Sequence, residues 1–205
     1  VFFSCTVMYQ SSEKALSETD FDANREIHPK YFGVGWTKVY LEKMCEFYSR
    51  IGNTKFTIIR HSNIYGPYDK FDLEKSHVFG ATVTKVMTAP QGGEIVVWGE
   101  GTEERDLLYV SDLVDFVARA LTKQESKFEL YTVGLGRATS VADLAKKIIE
   151  HSGKRLQITY DTSKPTIKTT LYLDYSKAKE QLGGIPQTSL DDGIGKTIAW
   201  YKTHY

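Results

Sequence analysis

The sequence has no excess of charge of either sign: 26 Lys and Arg balance 26 Asp and Glu across 205 residues. It therefore carries no electrostatic footprint for nucleic acid or an anionic membrane surface, and any phosphate it binds must be held by local donors. No apolar run approaches the roughly 20 residues that cross a bilayer, and the start lacks a charged segment followed by an apolar one. A soluble, cytoplasmic protein is expected. Cysteine is scarce. Cys5 and Cys45 have neither metal-ligand spacing nor the density of a disulfide framework, so two reduced thiols and no metal are expected. Also missing is a glycine-rich turn between a strand and a helix, the element that cradles a dinucleotide pyrophosphate. Gly99-x-Gly101 and Gly134-x-Gly136 do not open helices in the required way. Because Val1-Phe2-Phe3 opens directly in an apolar strand, an N-terminal portion carrying that βαβ unit is expected upstream.

What is present suffices for one domain with a full core. The stretch that organises the chain runs from Tyr31 to Gly52. Trp36, Tyr40, Met44 and Phe47 recur at helical spacing, Leu41, Cys45 and Tyr48 widen the apolar face, and Gly52 is a stop, which predicts one buried helix. Before it, Val1 to Tyr9 reads as a strand whose end, Ser4-Cys5-Thr6, would emerge at the sheet edge where open α/β folds bind ligands. Gln10 to Lys30 is a polar, aperiodic loop. After the helix, Lys55 to Tyr65 reads as a buried strand ending at Asn63 and a Gly66-Pro67 turn. Val78, Ala81, Val83, Val86 and Met87 predict a helix to Ala89. Glu94 to Val110 predicts a strand, a glycine-bounded turn and a second strand. A helix capped by Ser111 follows, with Leu113, Val114, Val117, Ala118 and Leu121 inward. Glu129 to Gly134 and Leu156 to Tyr160 read as strands. Ser140 and Asp143 form a capping box for a helix ended by Gly153, and Asp174 to Leu182 and Ser189 to Tyr201 close the chain as helices.

Three blocks taken in order, F-F-S-C-T-V-M-Y, the long helix with Lys38, and R-H-S-N-I-Y-G-P, resemble the extended short-chain dehydrogenase/reductase family, the NAD-dependent epimerases and dehydratases of nucleotide sugars. The S-H-V at Ser76 to Val78 is similar to the GDP-fucose synthase branch. The resemblance implies an α/β fold: the C-terminal part of a Rossmann-like doubly wound parallel sheet, residues 1–67, with a smaller α/β substrate-binding lobe, mainly residues 68–205. It implies NAD or NADP as cofactor, a nucleotide-sugar substrate and a homodimer. It places Cys5, with Thr6 and Ser4 beside it, at the position of a catalytic hydroxyl, and Lys38 and His77 among the catalytic groups. Ser4, Lys38, His61 and Asn63 would face the cofactor. Asn63, His77, Val78, Trp98, Arg105 and Lys164 would face the substrate. A guanidinium suits a diphosphate because it presents a planar fork of donors, although Glu103, Glu104 and Asp106 surround Arg105 and offer ion pairs instead.

One position departs from the pattern. The family pairs a Tyr with the Lys four residues later, and residue 34 is Val34. Three readings stay open: an engineered substitution that traps substrate, a natural one in which Tyr31 or His77 moves the proton, and a relative that binds without turnover. Tyr31 lies seven residues before Lys38, with Gly33 and Gly35 making the intervening stretch a poor helix.

Overall fold

A computed structural model describes residues 1–184 and 186–205. The central sheet is parallel, in the order β1 (Phe2–Phe3), β2 (Phe56–His61), β7 (Phe128–Val133). Three two-stranded sheets accompany it. β3 (Asn63–Tyr65) pairs in parallel with β6 (Leu107–Tyr109), β4 (Glu94–Trp98) in parallel with β9 (Gln157–Asp161), and β5 (Glu104–Arg105) antiparallel with β8 (Thr139–Ser140). The helices are α1 (Phe32–Ile51), α2 (Val78–Thr88), α3 (Val110–Lys123), α4 (Val141–Ser152), α5 (Ser176–Leu182) and α6 (Leu190–His204). This is the α/β arrangement with parallel strands that the sequence implied.

The long strand expected over Lys55 to Tyr65 is cut at Ser62, and the cut has a cause. Ser62 N donates to Val133 O at 2.9 Å, whereas Asn63 N donates to Asp106 O at 3.0 Å, so one chain serves two partners and β3 leaves the first sheet. The helix signals hold where local chemistry suffices. Ser140 and Ser189 cap α4 and α6 by accepting from Asp143 N and Asp192 N, and Gly153 closes α4 in the left-handed region with φ 76°. Leu144, Ala145 and Ile148 of α4 and Leu190, Ile194, Ile198 and Tyr201 of α6 enter one core with Tyr65, Phe79 and Tyr109.

Four expectations need correction. The first strand spans only Phe2–Phe3; the chain then turns, with Tyr9 N donating to Thr6 O. Ser111 lies inside α3 and caps nothing, because the helix already starts at Val110. The inward residues of α3 are Leu113, Phe116 and Ala120, while Val114 and Leu121 are 63 % and 67 % exposed. Finally, α1 is not a buried helix. Tyr40 is 62 % exposed, Phe47 51 % and Tyr48 50 %. Its inward face is Gly35, Glu42 and Ser49, three positions seven apart.

That inversion is produced by charge. The Glu42 carboxylate accepts from Arg60 Nε at 3.0 Å and from Arg60 Nη2 at 2.7 Å, in the side-by-side geometry of a guanidinium fork. Ser4 Oγ donates to Glu42 Oε1 at 2.5 Å, and Arg60 Nη1 donates to Tyr9 Oη at 2.8 Å and to Glu18 O at 3.1 Å. Burial pulls the Arg60 pKa down, but Glu42 and Tyr9 outweigh it and the guanidinium ends above its ordinary value. The Tyr9 phenol is pushed up to about 12 by its own burial. Gly35 lets the helix approach closely, since a Cβ there would meet Ile27 Cδ1 at 2.8 Å.

Candidate active site

The chain offers a cleft of about 450 Å³ between α2, β4, the start of β5 and the segment 165–167. Five of the expected substrate-facing residues line it: Asn63, His77, Val78, Trp98 and Arg105. The fold explains their convergence. Asn63 opens β3, and its side-chain amide donates to Asp106 O at 3.2 Å beside the main-chain bond already described. His77 precedes α2, exposed, with no capping bond from its ring. Trp98 ends β4, half exposed, with Lys85 Nζ 5.5 Å and Lys164 Nζ 5.8 Å from its ring centre. Lys164 thus reaches the rim through Trp98, while its neighbours Pro165 and Thr166 form the wall.

Arg105 pairs with none of the surrounding carboxylates. Its Nη1 donates to Glu104 O, Thr169 O and Thr169 Oγ1 at 2.7, 2.9 and 2.8 Å, and its Nη2 donates to Ile167 O at 3.1 Å. Burial lowers its pKa from the ordinary arginine value. Tyr31, the residue immediately before α1, also lines the cleft. Gly33 and Gly35 do not break the helix; α1 runs straight through them from Phe32.

The residues expected at the cofactor side form a second group. Lys38 Nζ donates to Phe3 O at 2.7 Å and stands 4.9 Å from the Phe2 ring centre. His61 Nδ1 lies 2.7 Å from Ser62 O; burial lowers its pKa and the Lys38 charge adds to the effect. Cys5 is half-buried and burial raises its thiol pKa, with Thr6 half-buried beside it. Ser4 is buried and its hydroxyl donates to Glu42. None of Ser4, Cys5, Thr6, Lys38 and His61 lines the cleft that holds Asn63 and Arg105.

Two features escaped the sequence reading. Asp106 is buried and accepts from Leu135 N at 2.7 Å, Leu173 N at 3.0 Å and Gly136 N at 3.2 Å. Burial nonetheless pushes its carboxyl up to about 6. It ties β6 to two loops and so fixes the strand to which Asn63 pairs. Glu42 was hidden within an apolar stretch; a carboxylate between Leu41 and Met44, with an arginine on the next strand, was the available signal.

Residues 1–134 match the family described as NAD dependent epimerase/dehydratase. The chain belongs to that family. Among relatives of this family member, the GDP-L-colitose synthase of Yersinia pseudotuberculosis is 30 % identical over 192 residues, covering 92 % of the chain and 62 % of the relative. The GDP-L-fucose synthase of Sinorhizobium fredii is 36 % identical over 157 residues, covering 76 % and 49 %. The chain thus spans between about half and 62 % of the length of these relatives. The UDP-glucose 4-epimerase of Thermotoga maritima, solved with UDP-glucose, superposes with a TM-score of 0.85 at 26 % identity, over 98 % of this chain and 62 % of that one. A GDP-6-OMe-4-keto-L-xylo-heptose reductase from C. jejuni has the same fold, with a TM-score of 0.87 at 21 % identity over 100 % and 70 %. Among the described residues, no helix of this epimerase/dehydratase family member is long and apolar enough to cross a membrane.

Proposed function

We propose that the protein is an NAD- or NADP-dependent epimerase, dehydratase or reductase acting on a nucleotide sugar. The observation that carries this reading is the cleft shared by Asn63, His77, Arg105 and Tyr31. An amide, an imidazole, a guanidinium and a phenol around one space supply what a sugar diphosphate needs: directed hydrogen bonds, a proton carrier and positive charge. In this proposal residues 1–67 contribute the cofactor half and residues 68–205 mainly the substrate lobe. The protein acts in the cytoplasm as a homodimer, for which the outward Tyr40, Phe47 and Tyr48 of α1 offer apolar area.

A nicotinamide dinucleotide, when bound, supplies the hydride acceptor and donor. The side chains fit its reactive end: Lys38 uses one N–H on Phe3 O and keeps two for ribose hydroxyls. In this reading Asn63 and Arg105 hold the substrate, and His77 or Tyr31 exchanges a proton with a sugar hydroxyl. Arg105 turns from its carbonyl partners toward the diphosphate, which a charge-assisted bond favours. Cys5 and Thr6 orient the sugar oxygen nearest Lys38.

Val34, 47 % exposed, stands where the family's acid/base phenol would be. That favours a second reading, a relative that binds nucleotide sugars without turning them over. Mixing the intact protein with GDP-, UDP-, dTDP- and CDP-sugars in the presence of added NAD and NADP, each in oxidised and reduced form, and following products by mass, separates the two. Because a positioned acid/base contributes about 100- to 10,000-fold in rate, Val34→Tyr should raise turnover by at least about 100-fold if the scaffold is catalytic. Silence from both proteins with every sugar sinks the enzymatic reading.

A further inference from the structure

Beside Arg105 lies a carboxylate that neither the fold nor the proposed chemistry has used. Glu103 lines the same cleft and is 5 % exposed, yet among the described residues neither of its side-chain oxygens has a hydrogen-bond partner. Its main chain is held in place, because Val141 N donates to Glu103 O at 2.9 Å. The nearby cations are engaged elsewhere: Arg105 on backbone carbonyls, Lys168 Nζ on Glu100 Oε2 at 2.8 Å. The wall behind is tight, since a Cβ on Gly99 would stand 2.9 Å from Glu103 Oε1 and 2.6 Å from Thr166 Cγ2. A buried acceptor without a donor is destabilising, and in a ligand-sized cleft it marks a place for a donor brought from outside.

We propose that Glu103 is a specificity-determining acceptor for a ligand group presenting two adjacent hydrogen-bond donors. The inference rests on the nucleotide-sugar reading above. Two coplanar oxygens accept two parallel bonds, as they do from a guanidinium. The N1–H and 2-amino edge of guanine offers that pair, and so do vicinal hydroxyls on a sugar. Uracil and thymine place a single N–H between two carbonyls, which would face the carboxylate and repel it. Trp98, half exposed in the same cleft, presents an aromatic face on which a base can stack.

The test is calorimetry of the intact protein and of Glu103→Gln with GDP, IDP (which lacks the 2-amino group), UDP and a GDP-hexose, accompanied by a melting curve of each protein. If the base edge is read, wild type prefers GDP to IDP by about tenfold and the variant loses that preference. If the sugar diol is read, GDP and IDP bind alike, wild type prefers GDP-hexose to GDP, and Glu103→Gln removes that difference. In both cases the free variant melts no lower than wild type, because the glutamine leaves no buried charge. Equal affinities in wild type and variant for every ligand overturn the assignment. So does a variant that melts lower and loses all ligands in equal proportion, since Glu103 would then be structural. Should wild type bind none of the four, the nucleotide-sugar reading itself fails and takes this one with it.

Discussion

Removing Glu42 is predicted to cost the fold several times what an exposed carboxylate would, because its charge partner is buried with it. Both partners of the pair are about 5 % exposed, and the guanidinium meets the carboxylate at 2.7 and 3.0 Å. Glu42→Ala leaves Arg60 with only two neutral acceptors, Tyr9 Oη and Glu18 O. An uncompensated buried charge of this kind destabilises by about 3–5 kcal/mol. For a chain of this size that corresponds to a melting temperature lower by roughly 10 °C. Breaking the pair and replacing it have different costs. Glu42→Leu with Arg60→Met removes both charges and refills the volume, so the double variant should lie closer to wild type than either single one. Urea or thermal unfolding monitored by circular dichroism reads both numbers. A single variant within about 1 kcal/mol of wild type would refute the claim that this ion pair turns α1 inward on its polar face.

Asp106 gives a pH-dependent counterpart. Burial raises its folded-state pKa to about 6, above the ordinary unfolded value, so its protonated form suits the fold better. Its contribution is fully present below about pH 4 and falls as pH rises through 6. Asp106→Asn, which still cannot accept from three N–H groups equally well, should therefore destabilise more at pH 4 than at pH 7; a pH-independent difference would contradict this. Arg105→Ala should weaken nucleotide-sugar binding by about 1.5–3 kcal/mol by calorimetry, the loss of a charge-assisted bond. It should also loosen the segment held at Ile167 and Thr169, seen as faster amide exchange there. Unchanged affinity would remove Arg105 from the site.

What could be read from the chain in advance was chemistry that acts locally. The serine caps at 140 and 189, the left-handed Gly153, the apolar stripes of α4 and α6 and the β2 strand all follow from residues within a turn or two of one another. That Asn63, His77 and Arg105 share a cleft has a different source: each sits at the end of an element, and the family resemblance had grouped them as an expectation. Long-range pairing was not legible. The amphipathic pattern of α1 favoured Tyr40 and Phe47 as inward, and Arg60, eighteen positions after Glu42, reverses it together with Ser4. In α3 the same limit applies, because Phe116 finds Tyr131 across the core at 5.5 Å between ring centres and draws the helix round by one position. Glu103 escaped because an unpaired oxygen is a fact of packing, not of spacing.

The three tryptophans allow a site-resolved test of the cleft, since Trp98 lines it, Trp36 borders a different hollow beside Ile27, and Trp200 packs against Phe71 near the C-terminal end. The indole N–H signals of the intact protein, followed by NMR during titration with a nucleotide diphosphate sugar, should show a saturable shift at Trp98 with Trp36 and Trp200 little changed. A saturable shift confined to Trp36 or Trp200, or none at Trp98 with any of the sugars, would contradict the assignment of this cleft as the substrate site.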